Sequence, residues 1–279
     1  MQQVSIGYGR KAVVKDLNLK VVPGEMVGLI GPNGCGKSTI IRALSRVITP
    51  LSGRILVGGR ELTRISRREL ARLVGVVPQV PLLPSAFTAF EIVLMGQNPH
   101  LGFFQQESER EREIAWRAME RTGTVALAER RVGELSGGEI QSLLIARVLA
   151  QETKTILLDE PTANLDIGRQ IEVLDLIKGL CRKENLTVIA AVHDLNLAVQ
   201  YCDRLILMKE GQLHAEGTPA GVITERNIRE VYGAEGVVYP HPENGLPLVL
   251  LRSGNGKHSA ADEVVKERDC LACHCEERS

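Results

Sequence analysis

The stretch from Gly31 to Thr39, which reads Gly-Pro-Asn-Gly-Cys-Gly-Lys-Ser-Thr, constrains the fold of this chain more than any other feature. It matches the G-x-x-x-x-G-K-[ST] phosphate loop. The apolar run from Met26 to Ile30 precedes it as a buried strand, and helix-forming residues follow it. A strand, a glycine turn and a helix N-terminus together direct backbone N–H groups and the positive end of the helix dipole at a phosphate chain. Because these flanks make an accidental glycine-rich turn improbable, the sequence predicts a nucleoside triphosphate site.

Each residue type in this loop has a chemical reason to be there. The glycines permit a tight wrap that a Cβ would obstruct. Lys37 is expected to reach the β- and γ-phosphates, and the Ser38 hydroxyl is expected to ligate magnesium. Cys35 lies near the start of a helix, where a thiol can be unusually acidic. The predicted nucleotide contacts are Gly31, Pro32, Asn33, Gly34, Cys35, Gly36, Lys37, Ser38 and Thr39.

A second apolar run, Thr155 to Leu158, ends in the acidic pair Asp159 and Glu160. A carboxylate at the exposed end of a buried strand beside a phosphate loop is placed to hold magnesium, and we assign that role to Asp159. Glu160 is the candidate that polarises the attacking water. A strand that merely ends in surface acids is the plain alternative, but the phosphate loop favours the catalytic interpretation.

A third motif, Leu135-Ser136-Gly137-Gly138-Glu139, opens another predicted helix. Ser136 and Glu139 have the spacing of a capping box, which is a sufficient structural explanation for those two residues. A capping box does not require Gly137 and Gly138, however, and these glycines expose backbone N–H groups at a helix N-terminus. The chain therefore carries two phosphate-binding helix ends, far apart in sequence, which one nucleotide cannot easily contact within one subunit.

Apolar strands and amphipathic helices alternate along the chain and indicate an α/β sheet. Short strands are expected over residues 4–30, including Ala12 to Val22, and a further strand over 53–59. Residues of about 80–150 have a different character and predict a largely helical insert. We expect a β-hairpin over 236–252, around the turn Pro-Glu-Asn-Gly, and a disordered tail over 253–279.

Composition narrows the classes of partner. Zero net charge and only 3% aromatic residues argue against a nucleic-acid surface. The sequence shows neither an apolar run long enough to cross a bilayer nor a signal segment, so we expect a cytoplasmic protein whose membrane contact comes through a partner.

The tail cluster of Cys270, Cys273, His274 and Cys275 has metal-ligand residue types. The adjacent His274 and Cys275 would strain a tetrahedral site, which favours an unstructured extension.

These motifs together resemble an ATP-binding cassette (ABC) ATPase subunit, over nearly all of residues 4–235. The resemblance implies an α/β fold in which a P-loop NTPase core of the RecA-like kind carries an N-terminal antiparallel β subdomain and an inserted α-helical subdomain. It assigns residues 1–235 to the ABC ATPase domain, with ATP and Mg²⁺ as cofactors. It further implies a head-to-tail dimer, in which the Ser136–Glu139 signature of one copy covers ATP bound to the loop of a second copy.

The resemblance carries four further positions into the site. Tyr8 stands where an aromatic ring stacks on adenine, although a core tyrosine in a first strand is a fair alternative. Gln79 matches the glutamine that contacts magnesium and the attacking water. Asp166, in the segment Asn164-Leu165-Asp166, matches a loop that runs along the partner subunit. His193 matches the histidine that contacts the γ-phosphate.

The residues after Gln79, from Glu91 to Leu101, and the stretch from Val192 to Ala198 resemble importer ATPases for iron-siderophore, haem and cobalamin uptake. Ile140 and Ser142 depart from the family pattern, since arginines are frequent there. The resemblance implies transmembrane permease subunits as partners, an extracytoplasmic substrate-binding protein as an indirect partner, and a peripheral location on the cytoplasmic face of the membrane. A soluble ABC ATPase of assembly or repair, without a permease, is the alternative.

Overall fold

The computed structural model describes residues 1–9, 11–102, 107–163 and 165–251. Asn164 and the predicted disordered tail over 253–279, with its cysteines and His274, lie outside the described residues. The strands are β1 (Gln2–Tyr8), β2 (Lys11–Leu17), β3 (Met26–Ile30), β4 (Ser52–Arg54), β5 (Leu56–Val57), β6 (Arg60–Glu61), β7 (Val74–Val77), β8 (Thr155–Asp159), β9 (Thr187–Ala191), β10 (Arg204–Lys209), β11 (Gln212–Gly217), β12 (Gly236–Pro240) and β13 (Pro247–Leu251).

The α-helices of the described residues are α1 (Lys37–Leu44), α2 (Arg67–Leu73), α3 (Ala89–Leu94), α4 (Glu109–Arg121), α5 (Gly137–Ala150), α6 (Ile167–Glu184), α7 (Leu195–Tyr201), α8 (Pro219–Val222) and α9 (Glu225–Tyr232). Most begin at a serine, threonine or aspartate whose side chain accepts a backbone N–H of the first turn, as sequence reasoning expects. The α/β class predicted from the alternation of strands and helices is confirmed.

The central sheet has the strand order β11–β10–β3–β9–β8–β7. Strands β10, β3, β9, β8 and β7 run parallel, and β11 is antiparallel at the edge. Every residue of β3 and β9 is buried, which suits strands covered on both faces. Because the parallel strands end at one edge of the sheet, the segments that follow β3, β7, β8 and β9 come together there.

Helices α3, α4 and α5 lie between β7 and β8 in the chain and pack on one another. Phe90 of α3 stacks on Trp116 of α4 with ring centroids 4.7 Å apart. Met119 of α4 and Leu143 of α5 are fully buried in the same cluster. The phosphate-loop end of α1 and the N-terminus of α5 therefore belong to different parts of the molecule, one on the parallel sheet and the other on the helical insert.

The N-terminal sheet, in the order β2–β1–β4, is antiparallel, as predicted. Two strands predicted from the sequence are longer than the strands of the structure. The strand predicted over Ala12 to Val22 ends at Leu17. The strand predicted over 53–59 divides into β4 and β5, because β4 pairs with β1 whereas β5 pairs with β6. The described residues contain no helix that is both long and apolar enough to cross a membrane.

Candidate nucleotide-binding and hydrolysis site

The phosphate loop is closed toward the core and open outward. Gly31, Gly34 and Gly36 have φ angles of 142°, 78° and 107°, in the region that favours glycine. A Cβ at Gly31 would lie 2.4 Å from the Met208 carbonyl oxygen, whereas a Cβ at Gly34 would meet nothing within 4 Å. The backbone at Gly34 is therefore free to approach an anion, while Gly31 anchors the loop against β10.

Lys37 is 4% exposed, and its ammonium lies inside the loop. Nζ donates hydrogen bonds to the carbonyl oxygens of Gly31 at 2.7 Å and Pro32 at 3.2 Å. A buried ammonium needs partners, and an ionised phosphate oxygen is a stronger partner than a neutral carbonyl. The Lys37 ammonium therefore lies where the sequence predicts the phosphates, and it can exchange its carbonyl partners for phosphate oxygens.

Ser38 and Asp159 meet across the site. The Ser38 hydroxyl donates a hydrogen bond of 2.7 Å to Oδ1 of Asp159. A hydroxyl and a carboxylate are hard oxygen ligands of the kind that Mg²⁺ prefers, so the pair fits the predicted metal role. Burial raises the pKa of Asp159, and the Ser38 hydroxyl acts in the opposite direction. The ionised Asp159 carboxylate therefore lowers the free energy of unfolding of the nucleotide-free protein.

We expect Asp159→Asn to stabilise the nucleotide-free protein at neutral pH, raising Tm by about 2–4 °C. A carboxyl group with a raised folded-state pKa is destabilising when it is ionised above that pKa. The advantage of the variant should disappear as the pH falls through the raised pKa toward the ordinary aspartate value, since the wild-type group then becomes neutral too. Calorimetric melts across pH measure this.

Asp203→Asn is the matched control. Asp203 accepts hydrogen bonds from Lys178 Nζ at 2.5 Å and from the Met26 backbone N–H at 2.8 Å. The substitution weakens these hydrogen bonds, so it should lower Tm. Equal destabilisation by both substitutions would contradict the account of Asp159.

Glu160 joins two of the other predicted catalytic residues. Its Oε2 accepts a hydrogen bond from Gln79 Nε2, and its Oε1 contacts His193 Nε2. The carboxylate side chain is 11% exposed, whereas that of His193 is 45% exposed. Glu160 has a φ of 54°, a strained value for a non-glycine residue that is found preferentially at functional sites. The ends of β7, β8 and β9 therefore place Gln79, Glu160 and His193 in direct contact.

Tyr8 ends β1 beside the helix that follows the loop. Its side chain is 50% exposed, and its hydroxyl accepts a hydrogen bond of 3.0 Å from Arg42 Nη1. Arg42 lies on α1, so the ring is at the rim of the loop and is not a core tyrosine. Sequence reasoning missed Arg42, because a charged residue on an amphipathic helix carries no signal of its own.

The signature segment forms the predicted capping box. Ser136 Oγ accepts from the Glu139 N–H at 3.4 Å, and the Ser136 N–H donates to Glu139 Oε2 at 2.7 Å. Arg130 pairs with Glu139 at 3.2 Å and fixes the box to the helical insert. The cap uses the N–H of Glu139, so the N–H groups of Gly137 and Gly138 remain for an anion.

Asp166 has a structural function in this chain. Its side chain accepts the Arg169 N–H at 3.0 Å and caps α6. The neighbouring Ile167 is 77% exposed, which is unusual for a large apolar side chain. An exposed apolar side chain therefore directly follows the segment that was predicted to run along a partner.

The expectation of an acidic Cys35 thiol is wrong. The side chain is 3% exposed and packs in the core beneath the loop. Burial raises the pKa of Cys35 and outweighs the opposing effect of the Lys37 charge. Tyr232, which sequence reasoning also missed, lies behind the same loop: its buried hydroxyl faces Gly31 and Cys35, and burial raises its pKa.

Comparisons with known proteins show the family to which this chain is similar. A family model described as ABC transporter matches residues 14–163. The ferric enterobactin transport ATP-binding protein FepC of Escherichia coli (strain K12) is 39% identical over 249 residues, which cover 89% of this chain and 92% of that protein. The hemin import ATP-binding protein HmuV of Bordetella avium (strain 197N) is 40% identical over 259 residues, covering 90% of this chain and 98% of that protein.

A solved structure is similar in fold. A dimeric structure of MJ0796, described as a bacterial ABC transporter cassette, superposes with a TM-score of 0.70 at 28% identity. It covers 79% of this chain and 98% of that chain. The predicted resemblance and fold class are thereby confirmed: this chain belongs to the ABC transporter family, as an ATP-binding ATPase subunit.

Proposed function

We propose that this chain binds and hydrolyses ATP to energise an importer for a metal chelate of the iron-siderophore, haem or cobalamin type. The observation that carries the proposal is the contact of Glu160 with both Gln79 and His193, beside the bonded pair Ser38 and Asp159. This is an arrangement suited to in-line attack of water on a terminal phosphate. The names of the two relatives described above, for ferric enterobactin transport and hemin import, support the substrate class.

Each side chain has a defined part in the proposed reaction. Lys37 exchanges the carbonyl oxygens of Gly31 and Pro32 for β- and γ-phosphate oxygens. Ser38, Asp159 and Gln79 are placed to hold Mg²⁺, which supplies charge neutralisation to the phosphate oxygens. Glu160 orients the attacking water, and His193, which is well exposed, faces the γ-phosphate. Positioning and charge stabilisation account for most of the catalysis in such a transfer.

The proposed working unit is a head-to-tail dimer with two composite sites. The loop at β3 and the helix end at Ser136 are both built to receive phosphate, and they belong to different parts of one subunit. Two copies related by a two-fold axis bring each loop to the signature of the other copy. The exposed Ile167 beside Asp166 is available to be buried at that contact. In this proposed unit, bound ATP holds the two copies closed and hydrolysis releases them.

The proposed permease contact lies after Gln79. Val80 and Leu82 are 71% and 95% exposed, respectively, although both are large and apolar. Two large exposed apolar residues this close in sequence are typical of a surface that a partner covers. A partner that spans the membrane would hold this chain on the cytoplasmic face as a peripheral subunit, and an extracytoplasmic substrate-binding protein would act on the far side.

We expect affinity-tagged protein, expressed in its source cell and extracted in mild detergent, to co-purify with a polytopic membrane protein. Leu82→Asp should lower the recovered membrane protein at least fivefold, because a carboxylate at a buried apolar contact is costly. Val47→Asp, at a residue that is 72% exposed in a different segment, is the control and should leave recovery unchanged. Recovery of soluble assembly or repair proteins alone, without a membrane protein, would support the alternative.

A further inference from the structure

The C-terminal hairpin is hydrogen-bonded to the helix that follows His193. The Asn196 side chain on α7 makes two bonds to one residue of β13. The Val249 N–H donates to Asn196 Oδ1 at 2.8 Å, and Asn196 Nδ2 donates to the Val249 carbonyl oxygen at 3.3 Å. A side-chain amide that satisfies both backbone groups of one residue imitates a neighbouring strand. The helix and the hairpin are therefore joined at a defined register.

Only two residues separate Asn196 from His193. Directly after β9, the Val192 N–H donates a hydrogen bond of 3.0 Å to the Leu29 carbonyl oxygen of β3. The Asp194 side chain then caps α7 and accepts the N–H groups of Asn196 at 2.8 Å and Leu197 at 3.0 Å. His193 thus lies between a hydrogen-bonded strand end and a capped helix start, and the Asn196 side chain joins that helix start to the hairpin.

The hairpin is itself well anchored. Val249 is 7% exposed and belongs to the main hydrophobic cluster. Strands β12 and β13 pair from Gly236 opposite Leu251 to Pro240 opposite Pro247. The Val238 N–H also donates to Glu225 Oε1 of α9 at 3.3 Å. The hairpin can therefore act as a rigid support for α7.

We propose that Asn196 is a positioning residue for hydrolysis: its two bonds to Val249 hold the start of α7 so that His193 faces Glu160 and the γ-phosphate. This inference rests on the proposed role of His193. The His193 side chain is 45% exposed, and its Nε2 contacts Glu160 Oε1. A small displacement of its backbone would misalign a group that acts by position, and misalignment of about 1 Å is costly to rate.

Asn196→Ala should lower kcat for ATP hydrolysis about tenfold and leave KM for ATP within about twofold. The phosphate loop, which binds the nucleotide, makes no use of Asn196. Asn196→Asp should have an intermediate effect, because a carboxylate still accepts the Val249 N–H but opposes the Val249 carbonyl. Asn227→Ala is the control: it removes a side-chain bond of 2.7 Å to the Val222 carbonyl in the same C-terminal region, and kcat should not change.

The decisive measurement repeats the substitution in a His193→Ala background. If Asn196 acts through His193, the double variant should hydrolyse ATP as slowly as His193→Ala alone. A further tenfold loss in the double variant, or a KM that rises with kcat unchanged, would overturn the inference. Wild-type activity in His193→Ala alone would instead contradict the proposed role of His193. Failure of the proposed function can therefore be distinguished from failure of the inference about Asn196. If Asn196→Ala does not fold, Asn196→Asp carries the same comparison.

Discussion

Glu160→Gln should reduce the rate of ATP hydrolysis by about 10²- to 10³-fold while ATP still binds. The glutamine keeps the size and one acceptor oxygen of the wild-type side chain, so it can still meet Gln79. It loses the negative charge that polarises the attacking water, and it replaces the carboxylate that contacts His193. Because Lys37, Ser38 and Asp159 are untouched, nucleotide affinity should remain within about threefold of wild type.

Two measurements check this expectation. Single-turnover hydrolysis reports the loss of the chemical step, and size-exclusion chromatography with ATP reports association, since ATP that is not hydrolysed should hold the dimer closed. Glu152→Gln is the matched control: Glu152 is also a non-glycine residue in the left-handed region, at φ 55°, and it lies outside the site. Equal rates for the two variants would show that Glu160 does not serve the chemistry.

The local motifs were predictable because each is complete within a few consecutive residues. The loop at Gly31 and the capping box at Ser136 need only their own residue types and flanks. The contact of Glu160 with Gln79 and His193 could not be predicted from local sequence, because it depends on the order in which β7, β8 and β9 pair. No single segment determines that order. The family resemblance alone predicted that these residues share a site.

The site features that sequence reasoning mispredicted or missed have a common physical cause, which is packing against distant parts of the chain. The loop sequence places Cys35 at a helix start and suggests an acidic thiol, but the core beneath the loop reverses the direction of its pKa shift. Tyr232 reaches the loop from α9, nearly at the other end of the described chain. The Asn196 contact likewise depends on where β13 packs. Sequence patterns report periodicity along one element, whereas these effects arise between elements.

An equimolar mixture of Lys37→Ala and Gly138→Asp chains should regain ATP hydrolysis that neither variant shows alone. Lys37→Ala removes the ammonium from the loop, which is worth about 1.5–3 kcal/mol for each charged hydrogen bond it would make to phosphate. Gly138→Asp places a carboxylate in the first turn of α5, where it repels a phosphate. The added Cβ would lie 3.2 Å from Cδ of the flexible Arg169 side chain, so the fold should tolerate it.

The recovery follows from the geometry of a head-to-tail dimer. In a mixed dimer, the intact loop of the Gly138→Asp chain faces the intact signature of the Lys37→Ala chain, while the opposite site carries both defects. Random pairing makes about half of the dimers mixed, each with one intact site, so the mixture should reach up to about one quarter of the wild-type rate. Mixing Lys37→Ala with the double variant supplies no intact loop and is the inactive control. The contrary result requires that wild type is active at the same total concentration while the first mixture shows only the summed activity of its two components. Each nucleotide would then be bound by one copy alone, and the composite site proposed for this chain would be wrong.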